Sequence, residues 1–116
     1  MGETEELEYD ENMISLLEAV WGEGFMSPGG TDEVDRVLGN KDLSQARVLD
    51  IGCGIGGAAV HIALTRQPSN VTGIDIEQNL VNLALELAEK NHVSAICDFQ
   101  RVEPGPLPFE PGSFGV

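Results

Sequence analysis

The chain has 116 residues, room for one small domain and not for two, and its 41% hydrophobic content can fill a core. Twenty acids against six Lys and Arg give a net charge of −14 and a pI near 4.1. A surface of that sign repels polyanions, so neither nucleic acid nor an anionic membrane is an expected partner.

No apolar run approaches the roughly 20 residues a membrane-spanning helix needs. The start, Met1-Gly2-Glu3-Thr4-Glu5-Glu6, lacks the basic and apolar regions of a secretory signal and the pattern for myristoylation. Cys53 and Cys97 are too few for a disulfide scaffold or a zinc site, and a cytoplasmic location is expected. His61 and His92 have no Cys or His close in sequence and read as surface or packing residues.

Residues 1–35 hold eleven acids and no Lys or Arg. Glu3 to Glu11 reads as a solvated acidic arm, or as a lid over a cationic ligand. Met13, Leu16, Leu17 and Val20 then fall on one helical face, and the helix should stop near Gly22 and Gly24. Gly24 to Gly30 is a loop by composition. Thr31 is the expected N-cap of a second helix, with Asp32 and Glu33 in its first turn and Val34, Val37 and Leu38 facing inward. Arg47 to Ile51 is β-prone and runs into a glycine cluster, followed by a helix over about Gly56 to Arg66. Val71 to Ile76 reads as a second buried strand. A long helix over about Gln78 to Asn91 carries an apolar stripe of Leu80, Ala84, Leu87 and Ala88, widened by Leu83. A third strand is expected over Ala95 to Val102, then a proline-rich loop, then Ser113 to Val116 as the opening of a fourth strand. This order predicts an α/β fold with a Rossmann-like parallel sheet, here three strands and a stub, preceded by lid helices. The expected division is 1–46 for arm and lid, and 47–116 for an incomplete cofactor-binding half-domain.

Gly52-Cys53-Gly54-Ile55-Gly56-Gly57 lies between a strand and a helix. Glycines there permit a tight turn and close approach of backbone to a ligand. Gly52, Gly54 and Gly57 formally satisfy G-x-G-x-x-G, and Asp75 follows about twenty residues on, where an acid accepts from ribose hydroxyls. A dinucleotide must therefore be considered. Asp50, two residues before Gly52, argues against it, because a carboxylate there repels pyrophosphate. No Lys or Arg lies between Arg47 and Arg66 to hold phosphate. An ammonium- or sulfonium-bearing nucleoside such as S-adenosylmethionine fits better than NAD.

Val48-Leu49-Asp50-Ile51-Gly52-Cys53-Gly54-Ile55-Gly56-Gly57 resembles the first motif of class I S-adenosylmethionine-dependent methyltransferases. Gly73-Ile74-Asp75-Ile76 with Asn79-Leu80-Val81 and Ala84 resembles their second motif. Leu107-Pro108-Phe109-Glu110-Pro111-Gly112-Ser113-Phe114 resembles the lead into their fourth strand, although Gly115 stands where the pattern has Asp. Trp21-Gly22-Glu23-Gly24-Phe25-Met26-Ser27-Pro28-Gly29-Gly30 is similar to a loop of phosphoethanolamine and related small-amine N-methyltransferases.

The resemblance implies roles residue by residue. Met26 and Ser27 would contact the cofactor, and Tyr9 would belong to the lid. Gly52 and Gly54, with Cys53 as a small loop residue between them, would approach the methionine part, and Asp50 would orient its ammonium group. Asp75 would hold the ribose hydroxyls and Ile76 would pack on adenine. Glu103 would accept from the adenine amino group, with Asp98 the competing choice. The implied reaction is methyl transfer to a small-molecule amine. A binding module or scaffold without turnover stands as the alternative, and a nicotinamide-dependent oxidoreductase behind it. No catalytic residue is assigned. A sheet cut at three strands should leave one edge and one apolar face bare, favouring a homodimer or higher assembly.

Overall fold

The computed structural model describes residues 11–21, 23–25 and 30–115. Tyr9, Gly22, Met26 and Ser27 lie outside that set. In chain order the elements are α1 (Glu11–Trp21), α2 (Gly30–Leu38), β1 (Arg47–Ile51), α3 (Gly57–Thr65), β2 (Asn70–Asp75), α4 (Gln78–Lys90) and β3 (Cys97–Arg101). The strands form one parallel sheet in the order β1-β2-β3. The α/β fold with a parallel sheet is the one expected.

Register divides the strand residues between two faces. Val48, Val71 and Cys97 stand abreast, as do Asp50, Gly73 and Phe99. On this face Val48, Val71, Cys97 and Phe99 pack with Ala59, Val60, Ile62 and Ala63 of α3 and with Val81, Ala84 and Ala88 of α4. The helix α3 is buried along most of its length, which is why its sequence has no polar stripe. Gly73 is required by this packing. A Cβ there would lie 2.6 Å from the Phe99 ring and 2.9 Å from the Cys53 Cβ.

Several expectations are corrected. α2 begins at Gly30, so Thr31 sits inside its first turn and is not the cap. Val34 and Leu38 do pack on the core, but Val37 is 74% exposed, because a nine-residue helix on the outside of α3 buries only a narrow strip. On α1, Met13 and Leu16 are exposed and Ile14 is buried, packing with Ile55 and Leu80. The side chain of Val20 lies outside the described residues. β3 starts at Cys97, later than Ala95, because the Ile96 and Cys97 N–H groups both turn back to the Val93 carbonyl.

The second face is less bare than expected. Thr72 and Ile74 are buried there, while Ile51 is 63% exposed. Residues 102–115 return from the carboxyl end of β3 to the amino end of β1. Gly115 N–H donates to the Arg47 carbonyl at 2.9 Å, and Phe114 lies edge-on to Phe109 and under the Arg47 guanidinium. The expected fourth-strand stub is thus a single rung beside β1; among the described residues it forms no strand.

Candidate functional site

Asp50, the glycine loop and Asp75 meet at the carboxyl ends of β1 and β2. The loop is fixed to β2 by backbone bonds, Gly52 N–H and Cys53 N–H sharing the Ile74 carbonyl at 2.8 and 2.9 Å. Gly52 (φ +70°), Gly54 (φ +55°) and Gly56 (φ +92°) all adopt left-handed backbone. A Cβ at Gly52 would meet nothing within 4 Å, so the loop presents bare backbone to open space.

Asp75 ties this corner together. Its Oδ2 accepts the Gly54 N–H and its Oδ1 accepts the Glu77 N–H, each at 3.0 Å. A carboxylate has about four lone-pair sites, so both oxygens keep room for a ligand hydroxyl.

Asp50 is in the opposite condition. Its Oδ2 is buried and has no hydrogen-bond partner. Burial, and secondarily the Asp75 carboxylate, push its pKa from 3.8 up to about 6. A buried carboxylate oxygen lacking a partner is costly by itself and attracts a cation with hydrogen-bond donors.

Cys53 lies between these acids. Burial first, then the charges of Asp50 and Asp75, push its thiol to about 12, and burial pushes Cys97 to about 11. Neither supplies thiolate at neutral pH, and the expectation of a small loop residue at Cys53 fits this chemistry. In the folded chain, iodoacetamide at pH 7.5 is expected to label both cysteines far more slowly than after unfolding. Rapid labelling while folded would contradict the buried, acid-flanked setting.

The N-terminal elements also reach the site. Gly24 C=O accepts the Gly57 N–H at 2.8 Å, capping the first turn of α3 with backbone from the α1–α2 loop. Gly24 N–H in turn donates to Glu18 Oε2 at 2.6 Å, and Glu23 is ion-paired with Lys90 of α4. This contact admits no side chain. A Cβ on Gly57 would lie 2.2 Å from the Gly24 carbonyl oxygen, and one on Gly24 would lie 2.9 Å from the Gly57 Cα.

A family model described as a methyltransferase domain matches residues 42–116. The chain belongs to the methyltransferase domain family. Phosphoethanolamine N-methyltransferase 3 of Arabidopsis thaliana is 39% identical over 83 residues, covering 71% of this chain and 17% of the relative. Phosphoethanolamine N-methyltransferase of Plasmodium falciparum is 33% identical over 86 residues, covering 73% of this chain and 32% of the relative. The chain thus spans a third or less of these curated relatives. Among solved structures, phosphoethanolamine N-methyltransferase 2 of Haemonchus contortus, in complex with phosphomonomethylethanolamine and S-adenosylhomocysteine, superposes with a TM-score of 0.81 at 33% identity, over 95% of this chain and 26% of that one. The resemblance to class I methyltransferases of this kind therefore stands.

In this methyltransferase domain Asp50, Gly52, Cys53, Gly54 and Asp75 lie in one corner. Ile76 follows directly, with 47% of its surface exposed. Glu103 lies just beyond β3, exposed and ion-paired with Arg101. Asp98 stands abreast of Thr72, toward the amino end of the sheet, and accepts from Gln100, so it is not brought to that corner. His61 bridges helices, its Nε2 lying 2.9 Å from Asp35 Oδ1. Sequence reading missed the pairing of Gly24 with Gly57. The available signal was a second glycine directly after Gly56, at a helix position where glycine is otherwise unfavourable.

Proposed function

We propose that this chain binds S-adenosylmethionine at the Asp50–Asp75 corner and is the cofactor-binding part of a methyltransferase acting on a small amine of the phosphoethanolamine kind. The unpartnered buried oxygen of Asp50 carries this reading. The relatives are named for that acceptor, and the Haemonchus contortus structure, with S-adenosylhomocysteine bound, supports the same cofactor.

The residues present fit the group. Asp50 would receive its ammonium end, directly or through water. Gly52 and Gly54 would pass along its amino-acid part, with Cys53 filling the turn behind them. Asp75 would accept from the ribose hydroxyls while holding Gly54. Ile76 would cover one face of the adenine and Glu103 would accept from its amino group. Met26 and Ser27 would close from the loop that Gly24 seats on α3. The cofactor supplies a sulfonium-activated methyl group, and the task left to the protein is orientation and exclusion of water.

Calorimetry with S-adenosylhomocysteine and NADH, followed by a methyl-transfer assay with phosphoethanolamine, tests this. Binding of the adenosyl compound alone, with transfer, is the expected outcome. Binding without transfer would reduce the chain to a cofactor-binding module. Preference for NADH would overturn the reading in favour of an oxidoreductase.

Two free, buried cysteines suit a reducing compartment, so we place the chain in the cytoplasm. No helix among the described residues is long and apolar enough to cross a membrane. We also infer self-association through the β1 edge or the adjoining sheet face, on which Ile51 is exposed. At roughly 25 cal/mol per Å² of apolar area, a few hundred Å² contributes several kcal/mol. Sedimentation equilibrium at micromolar concentration is expected to give a dimer or larger, and a compact monomer would contradict this.

A further inference from the structure

The carboxyl end of β3 carries a cation among acids. Arg101 is the register partner of Asp75 on the neighbouring strand. Its Nε donates to the Ile76 carbonyl at 3.2 Å, and its Nη1 is ion-paired with Glu103. One planar guanidinium thus ties the residue after Asp75 to the acid beyond β3. The backbone runs a parallel tie, from Val102 N–H to the Asp75 carbonyl at 2.9 Å. Glu103 is 75% exposed at its side chain, and among the described residues the Arg101 guanidinium is the group that pairs with it and biases its direction. A lysine ammonium, without the rigid fork, does not hold two acceptors at set angles in this way.

We propose that Arg101 is a positioning residue for base selection: it ties the Ile76 backbone to the Glu103 carboxylate, so that the site favours a 6-amino purine over a 6-oxo purine. The inference rests on the reading of Ile76 and Glu103 as the walls around the base. A carboxylate only accepts, so a 6-amino donor is matched while a 6-oxo group opposes two acceptors. That discrimination depends on the carboxylate being aimed, which is the service Arg101 performs. Arg101 acts through its two neighbours, Ile76 and Glu103.

The test is calorimetry of the whole chain with S-adenosylhomocysteine and its deaminated counterpart, S-inosylhomocysteine. The proteins are wild type, Glu103→Ala, Arg101→Ala, Arg101→Lys and the double variant Glu103→Ala/Arg101→Ala. Wild type is expected to prefer the adenosyl ligand, and Glu103→Ala to lose most of that preference. Arg101→Ala should weaken the adenosyl ligand about fivefold, the size of one net hydrogen bond, and leave the inosyl ligand nearly unchanged. Arg101→Lys should restore little. In the Glu103→Ala background, loss of Arg101 should narrow the preference no further. A purely structural arginine would weaken both ligands alike, and an unchanged ratio in Arg101→Ala with a narrowed one in Glu103→Ala overturns the inference alone. An unchanged ratio in Glu103→Ala, or no binding by wild type, overturns the base-wall reading and this inference with it.

Discussion

Asp50→Asn is expected to make the ligand-free chain more stable at pH 7.5 and to weaken S-adenosylhomocysteine binding by more than tenfold. The two effects have one cause. In the folded chain Asp50 ionises only at about 6, against its ordinary 3.8, because burial and then Asp75 oppose its charge. A carboxylate whose folded pKa is raised contributes fully to stability below about pH 4, and that contribution is lost as pH rises through about 6. The difference corresponds to about 3 kcal/mol. Asparagine does not ionise, so the variant escapes the loss at pH 7.5 and matches wild type near pH 4. Thermal melts at both pH values check this. Equal stability at pH 7.5 would mean that Asp50 is solvated there, and the argument for a waiting cation would fail. On the proposed binding mode, the affinity loss follows from removing the charge that would meet the ligand's ammonium group while leaving Asp75 in place.

Gly57→Ala is the second large effect. Alanine favours a helix by about 1 kcal/mol over glycine, and Gly57 has no left-handed backbone to forbid it. Against this stands a Cβ 2.2 Å from the Gly24 carbonyl oxygen and 2.8 Å from the Phe25 ring. The obstacle is backbone, so repacking side chains does not relieve it. The loop must withdraw, at a cost of about 1–3 kcal/mol. Because that loop leads into Met26 and Ser27, S-adenosylhomocysteine affinity should fall about tenfold or more while the circular dichroism of the sheet and helices persists. Limited proteolysis should open the chain near Gly24. Unchanged affinity and protection would show that seating this loop on α3 has no part in binding. The exposed Glu23–Lys90 pair is not expected to compensate, since such surface pairs contribute about 0–1 kcal/mol.

These two positions show what the sequence could and could not convey. The β1–glycine loop–α3–β2 unit was legible because its signals are local: a β-branched run, glycines where left-handed backbone is needed, and an acid ending the next strand. Asp50 was legible as a charge at a strand end. That one of its oxygens lacks a partner depends on the surrounding packing, which no spacing reveals. Gly24 and Gly57 lie 33 residues apart in sequence, and their contact becomes visible only when the two backbones meet. The phase of α1 was misjudged for a related reason. Met13–Leu16–Leu17 and Ile14–Leu17 are both helical stripes, and only the position of Ile55 and Leu80 turns Ile14 inward. Val37 continued the α2 pattern beyond the strip that α3 has room to cover.

The most direct test of the Asp50 site is the affinity for S-adenosylhomocysteine between pH 5 and 8. The ligand's ammonium group keeps its proton over this range, so the titrating partner is the protein carboxylate. The dissociation constant of wild type should be flat above about pH 7 and rise by up to about tenfold per pH unit below about 6, while that of Asp50→Asn stays weak and flat throughout. A wild-type affinity that does not change across pH 6 would contradict the assignment of Asp50 as the seat of the cation.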